Sequence, residues 1–278
     1  GDVVSSIGIC DLRENVVERW EFELNQISLP SPYDAMPSVE IIPPEKLFDG
    51  DVFLFCASRF VPDTSVKDGD VRMAQYRLNR ELVALYAKKA REARYKGFFC
   101  VVSDPVDPLC RTVLLESNRS EGGRLDGMGL FPQQVRGFGL GVMAARCAYY
   151  ARQLGLNEEK LRVYGPHGQG LVCANSCGPD YDAALSARLT EQTRTANLRV
   201  RELGFKPYLA PALSSAAVSI LRLVRGQEHF GAVPLGGAYF GCRSRMTPFG
   251  VSLIREKIAP ALLEELQTTH TALEAFEY

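Results

Sequence analysis

Residues 163–170 read Val163-Tyr164-Gly165-Pro166-His167-Gly168-Gln169-Gly170, a short apolar run that breaks into glycines bracketing one of the chain's three histidines. A β-branched run followed by a glycine-rich turn presents a side chain at the end of a strand, where the ligands of a sheet commonly sit. An imidazole titrates near neutrality, so His167 is the first candidate for proton chemistry.

Outward from this stretch the chain alternates between strand and helix patterns. Residues 6–11 read as a buried strand ending in Asp11, and 14–27 carry Val16, Val17, Trp20, Phe22, Leu24 and Ile27 at helical spacing. Further strands are expected at 39–42, 51–56, 98–103, 135–138 and 161–164, and helices at 71–93, 106–117 and 142–154, with a Gly-rich polar insertion at 118–129. This alternation predicts an α/β fold in which residues 1–141 form a Rossmann-like parallel sheet with helices on both faces. After Gly178 two helical stretches follow, 180–203 and 210–225, then strand-like segments near 230–233, 238–242 and 251–258. Pro260 opens a last helix where proline is best tolerated, with Leu262, Leu263, Leu266, Leu273 and Phe276 as its apolar stripe. Residues 142–278 are therefore expected to form a second, mixed α/β domain.

Composition narrows the function. The 278 residues supply ample apolar side chains for a core, and 32 Lys and Arg balance 33 Asp and Glu with no basic block. Small molecules or other subunits are the expected partners, rather than nucleic acid or a membrane. No run approaches the roughly 18 apolar residues of a membrane span, and no signal peptide is read before the first strand, so a cytoplasmic location is expected. Of the eight cysteines, Cys56 and Cys100 fall in strand-like runs and Cys147 in a helical one, where thiols act as small hydrophobes in a reduced protein. Cys173 and Cys177 lack a second ligand pair, so no metal site is expected.

Four stretches resemble the lactate and malate dehydrogenases and occur in that family's order: Arg72-Met-Ala-Gln-Tyr-Arg-Leu-Asn79, Val101-Val-Ser-Asp-Pro-Val-Asp107, Gly137-Phe-Gly-Leu-Gly-Val-Met-Ala-Ala-Arg146 and Gly165-Pro-His-Gly168. The resemblance implies an NAD-dependent oxidoreductase acting on a 2-hydroxy or 2-oxo carboxylic acid, with NADP as the other possible cofactor, and a homodimer or homotetramer. It places proton transfer on His167, the substrate carboxylate on Arg146, and polarisation of the carbonyl on Arg72 from a closing loop. A guanidinium offers the planar fork that matches a carboxylate. Asp11 resembles the acid that binds a cofactor ribose. Ser58 stands where the family has a glycine in the turn after the third strand, Arg59 is placed to meet a phosphate, and Ser103, ending the fourth strand, joins the cofactor set.

The departures are equally specific. Met143 stands where the family has the Asp that holds the catalytic histidine, and a thioether cannot stabilise an imidazolium. Asp104 replaces the Asn of the family's Asn-Pro-Val-Asp turn, which leads to the expectation that Asp104 is the partner of His167. The position six before Arg72, where the family sets substrate choice, falls on Val66 beside Lys67. A lysine facing the site suits a dicarboxylate; a valine suits an apolar tail. Ten residues precede Asp11, too few for the glycine turn and helix of a dinucleotide fold, so either the natural chain begins earlier, which is the expectation, or the protein lacks the pyrophosphate cradle altogether. Gly137 to Gly141 is not read as that cradle, because its third spacing falls on Val142. Together these departures keep open an alternative: a catalytically silent homologue serving as a binding or assembly subunit.

Overall fold

The computed structural model describes residues 3–28, 36–59, 70–205 and 210–276, with the side chains of 70–72 and 210 outside the described set. Val66 and Lys67 lie outside the described residues, and so does the side chain of Arg72. In chain order the elements are β1 (Ser6–Ile9), α1 (Glu14–Leu24), β2 (Ser38–Ile41), β3 (Val52–Phe55), α2 (Asp70–Glu92), β4 (Phe98–Val101), α3 (Val106–Ser117), β5 (Val135–Gly137), α4 (Leu140–Gln153), β6 (Arg162–Tyr164), β7 (Val172–Ala174), α5 (Ala183–Arg194), α6 (Ala196–Glu202), α7 (Ala210–Val224), β8 (His229–Leu235), β9 (Ala238–Thr247), β10 (Gly250–Leu253) and α8 (Pro260–Glu274). They fall into two compact units, Gly1–Phe53 and Leu54–Tyr278.

In the smaller unit β1 and β2 pair in parallel, from Ser6 opposite Ser38 to Ile9 opposite Ile41. Asn25 closes α1 against β2: its Nδ2 donates to the Val39 carbonyl at 3.0 Å, and its Oδ1 accepts from the Val39 N–H at 3.1 Å. Val17 is buried on α1, whereas Trp20, Phe22 and Ile27 of the expected stripe are exposed.

In the larger unit a six-stranded sheet runs in the order β10-β9-β8-β5-β4-β3. β4 and β5 are parallel, with Cys100 opposite Arg136. Beyond them β5, β8, β9 and β10 pair antiparallel in turn, with Gly137 opposite Ala232. The fold is thus α/β, with the parallel strands continuing directly into the antiparallel ones. β6 and β7 form a separate antiparallel ribbon. α2 packs on α3, and α3 on β4, β5 and β9, while α4 and α7 pack together and on β8.

Side-chain spacing explains the packing. Tyr76, Asn79, Val83, Ala87 and Ala90 recur at helical intervals on α2 and are all buried. Leu140, Met143, Cys147 and Ala151 do the same on α4 and join Val163, Leu171, Cys173 and Leu189 in one core. The helical stretch expected at 180–203 is two helices. Their junction is Thr195, whose hydroxyl donates to the Glu191 carbonyl at 2.7 Å and competes with the backbone ladder. β7 has no counterpart in the sequence reading, since three residues are too few to show a period. Cys56 lies just past β3 and is exposed rather than packed as a small hydrophobe, and Leu263, expected in the α8 stripe, is exposed. No helix among the described residues is long and apolar enough to cross a membrane.

One charge is fully buried in this sheet. Arg136 is 0% exposed, and its Nη2 meets the His229 Nε2 at 2.9 Å and the Ser244 hydroxyl at 3.1 Å. His229 Nδ1 lies 3.0 Å from the Gln227 carbonyl, so Nδ1 carries the ring proton and Nε2 accepts from the guanidinium. Burial pushes the His229 pKa down to about 4, with the Arg136 charge acting in the same direction.

Candidate active site

The glycine-rich stretch that carries His167 links β6 to β7, where Tyr164 pairs with Val172, so it is the tip of an antiparallel ribbon rather than a strand-to-helix exit. Gly165 donates its N–H to the Gly241 carbonyl on β9 at 2.8 Å. It has φ +82°, and a Cβ there would lie 2.5 Å from the Gly170 carbonyl oxygen. A Cβ on Gly241 would in turn overlap the carbonyl oxygen of Gly165. Two backbones are therefore in direct contact at this point, and they fix where the following residues go. Gly168 closes the next turn by donating to the Pro166 carbonyl at 2.8 Å.

The ring of His167 meets a carboxylate. Its Nδ1 lies 3.2 Å from Oδ1 of Asp104, with side-chain exposures of 22% and 46%. Asp104 sits between β4 and α3, followed by a cis peptide bond to Pro105. Its backbone oxygen accepts from the Asn79 Nδ2 at 2.7 Å. The same Asn79 side chain accepts from the Arg59 N–H at 2.9 Å and exchanges hydrogen bonds with the Ser58 hydroxyl at 3.2 and 3.3 Å. One fully buried amide on α2 thus ties the loop after β3 to the loop after β4. The sequence reading missed Asn79 as a site residue. Its signal was a single amide within an otherwise apolar helical stripe.

Gly139 stands at the start of α4, and a Cβ there would come within 2.9 Å of the His167 Cβ and 3.0 Å of Val106. Met143 and Arg146 follow on the same helix face, Arg146 about 10 Å further along the axis. Helical side chains lean toward the N-terminus, and accordingly the Arg146 Nη1 lies back over the Met143 sulfur at 3.9 Å. Among the described residues Arg146 has no carboxylate partner, and burial holds its pKa below the usual guanidinium value. Arg72 lies in the first turn of α2.

The residues assigned to a cofactor divide between the units. Asp11 belongs to the smaller one, where its carboxylate accepts from the Arg13 N–H at 3.0 Å, which lowers its pKa. Ser58, Arg59 and Ser103 belong to the larger one. The Arg59 guanidinium meets Glu81 at 3.0 Å. Ser103 is buried, and its hydroxyl has no hydrogen-bond partner among the described residues. A buried orphan hydroxyl beside Asp104 fits a bound polar ring, since an unmet hydroxyl is costly. Gly137 is packed against Val106 and Cys110, which leaves no room for a phosphate at its α-carbon. Among the described residues no three His, Cys, Asp or Glu side chains gather as a metal site.

No protein-family model matches the sequence, and no curated protein matches it. Solved structures do. Malate dehydrogenase from Plasmodium falciparum superposes with a TM-score of 0.74 at 13% identity, covering 98% of this chain and 89% of that one. A lactate dehydrogenase from a Medee basin deep-sea metagenome library gives 0.72 at 16%, covering 98% and 89%. Malate dehydrogenase from Archaeoglobus fulgidus, solved in complex with NADH, gives 0.74 at 16%, covering 97% and 89%. The likeness extends over nearly the whole chain, and the protein has the fold of the malate and lactate dehydrogenases.

Proposed function

We propose that the chain is a divergent member of the lactate/malate dehydrogenase superfamily and an NAD-dependent oxidoreductase for a 2-hydroxy or 2-oxo carboxylic acid, NADP being the other cofactor in range. The observation that carries the reading is the contact between His167 and Asp104 at 3.2 Å. An ionised Asp104 accepts from Nδ1–H, orients the ring, and stabilises the imidazolium that forms when Nε2 takes the proton of the substrate hydroxyl. This is the task of the acid that Met143 replaces. Arg146, desolvated and without a carboxylate partner among the described residues, is suited to the substrate carboxylate. Arg72 is assigned the carbonyl oxygen on resemblance. Ser103, Ser58 and Arg59 would hold the cofactor from the larger unit, and Asp11 is assigned the ribose on resemblance. NAD, when bound, supplies the hydride acceptor. We assign the nucleotide to residues 1–141 and the substrate to 142–278, in a cytoplasmic homodimer or homotetramer.

The test is NADH oxidation across a panel of 2-oxo acids, together with the fluorescence of Trp20. The expected result is turnover of at least one acid, and quenching by NADH that deepens when that acid is present. If no acid is reduced and neither NAD nor NADP shifts the melting temperature, the chain is a silent homologue serving in binding or assembly. Met143, 2% exposed and packed under Arg146, is the observation that favours this second reading.

A further inference from the structure

A cavity of about 290 Å³ opens where α2 ends, walled by the last turn of that helix, by the residues that lead into β4 and by the segment before β5. It is separate from the candidate active site: Lys96 on its wall precedes β4, whereas Asp104 follows the same strand at its other end. Ligands of a parallel sheet sit at the carboxyl ends of its strands, so a dinucleotide fold assigns nothing to this place.

Most polar groups of the wall are already engaged. Arg91 is committed to Asp126 through two hydrogen bonds of 2.7 Å, and the Tyr95 hydroxyl donates to the Phe98 carbonyl at 3.2 Å. The Gln134 side chain donates to the Tyr95 and Gly97 carbonyls at 3.3 and 3.0 Å and accepts from the Phe131 N–H at 2.9 Å. Arg94 and Lys96 differ. Among the described residues neither side chain has an ion-pair or hydrogen-bond partner, and no carboxylate lines the cavity. Arg94 is also the one described residue other than glycine with a positive φ, +50°. It closes α2 in the left-handed position that glycine usually takes, and the Tyr95 N–H returns to the Ala90 carbonyl at 2.9 Å. Arginine there gives up backbone stability and sets a cation at the cavity. Met128 and Phe131, 73% and 65% exposed, add two large apolar side chains to the same wall. Exposed cations alone are ordinary. Two unpaired ones that share an acid-free hollow with an exposed ring call for a ligand anionic at one end and apolar at the other.

We propose that this cavity binds a small aromatic phosphate monoester, with its ring against Phe131 and Met128 and its phosphate held by Arg94 and Lys96. A guanidinium offers a planar fork to phosphate oxygens and an ammonium a point charge, and together they match a dianion. The volume stands at the low end of small-molecule sites, which suits one ring with one head group and is too small for a dinucleotide. The proposal does not depend on the dehydrogenase reading.

The experiment is isothermal titration of the full chain with phenyl phosphate, inorganic phosphate and phenol at about pH 8, where the phosphate is a dianion. Phenyl phosphate is expected to bind about tenfold or more tightly than either of the others, since each lacks one half of the contacts. Arg94→Gly should weaken phenyl phosphate by about tenfold or more, the loss of a charged hydrogen bond, and should melt at or above the wild-type temperature because glycine relieves the left-handed backbone. Lys96→Gln should weaken it by a similar factor, and Phe131→Ser should bring it down to the affinity of inorganic phosphate. Lys46→Gln, at an exposed position in the smaller unit, and Arg59→Gln should leave binding unchanged. Absence of phenyl phosphate binding overturns the proposal, and so does equal affinity for phenyl phosphate and inorganic phosphate. Unchanged binding in Arg94→Gly and Lys96→Gln also overturns it. A loss in Lys46→Gln as large as in Lys96→Gln does the same, because net charge alone would then explain the binding. Loss in Arg59→Gln alone would place the phosphate with the proposed cofactor residues and overturn the assignment to this cavity.

Discussion

His167 and Asp104 stand sixty-three positions apart in sequence and meet through Nδ1 and Oδ1 at 3.2 Å. Replacing Asp104 by Asn keeps the shape and removes the carboxylate that meets the ring. Turnover of the 2-oxo acid is expected to fall by about a hundredfold or more, with little change in melting temperature because the carboxylate is half exposed. Steady-state NADH oxidation measures it. Wild-type turnover in Asp104→Asn would show that the imidazole works without this partner.

Arg146 gives a prediction with opposite signs in two assays. It is partly buried and lacks a carboxylate partner among the described residues, so its charge is desolvated without direct compensation. Arg146→Met should melt at the same temperature as the wild type or higher. The same variant should raise the KM for a carboxylate substrate at least tenfold, since it loses a charged hydrogen bond. A marked fall in melting temperature would reveal a counter-ion that this account lacks.

Gly139 has φ −136°, which any residue adopts, so its cost on substitution is steric. A methyl group there meets the His167 Cβ at 2.9 Å. Gly139→Ala is expected to cost about 1–3 kcal/mol and to lose more activity than that cost explains. Gly141→Ala is the control. Its methyl would crowd Ser219 at 3.1 Å and leave His167 untouched. Equal activity losses in the two variants would dissociate Gly139 from the site.

Asn79→Ala removes a buried amide that serves Ser58, Arg59 and Asp104 together. Leaving those groups unmet is expected to cost roughly 2–4 kcal/mol by urea unfolding. Asn79→Asp keeps the acceptor for Arg59 but sets a buried carboxylate oxygen against the Asp104 carbonyl oxygen, so a cost at least as large is expected. If both variants unfold at the wild-type midpoint, the amide does not hold the loops.

His229 makes the fold sensitive to acid. Its pKa lies at about 4 in the folded chain against an ordinary 6.5, so between these values the unfolded chain binds the extra proton. The stability it contributes is complete above pH 6.5, declines as pH falls, and is gone below about 4. The loss is on the order of 3 kcal/mol. His229→Gln should flatten that part of the stability profile. An unchanged slope would mean the ring titrates normally.

The parts of the fold legible in sequence were those with long periods. The stripe on α2 and the strand at 98–103 fixed their elements because many positions repeat the same message. The pairing of Asp104 with His167 was legible because a carboxylate stands where an amide was expected, while the proton transfer assigned to His167 is a proposal. What stayed hidden depended on pairing between distant segments. β7 is three residues long and shows itself only against β6. The role of Asn79 depends on loops 20 and 25 positions away. Arg136 reads as an ordinary strand charge until β8 and β9 close over it.

The contact between Gly165 and Gly241 fixes the start of the turn that carries His167 by main chain alone. Side chains near the turn can then be exchanged without moving its backbone, provided two hydrogens stay where any larger group would collide. A scaffold anchored this way tolerates extensive rewriting of its walls. Structures that share this architecture are 13–16% identical to the chain.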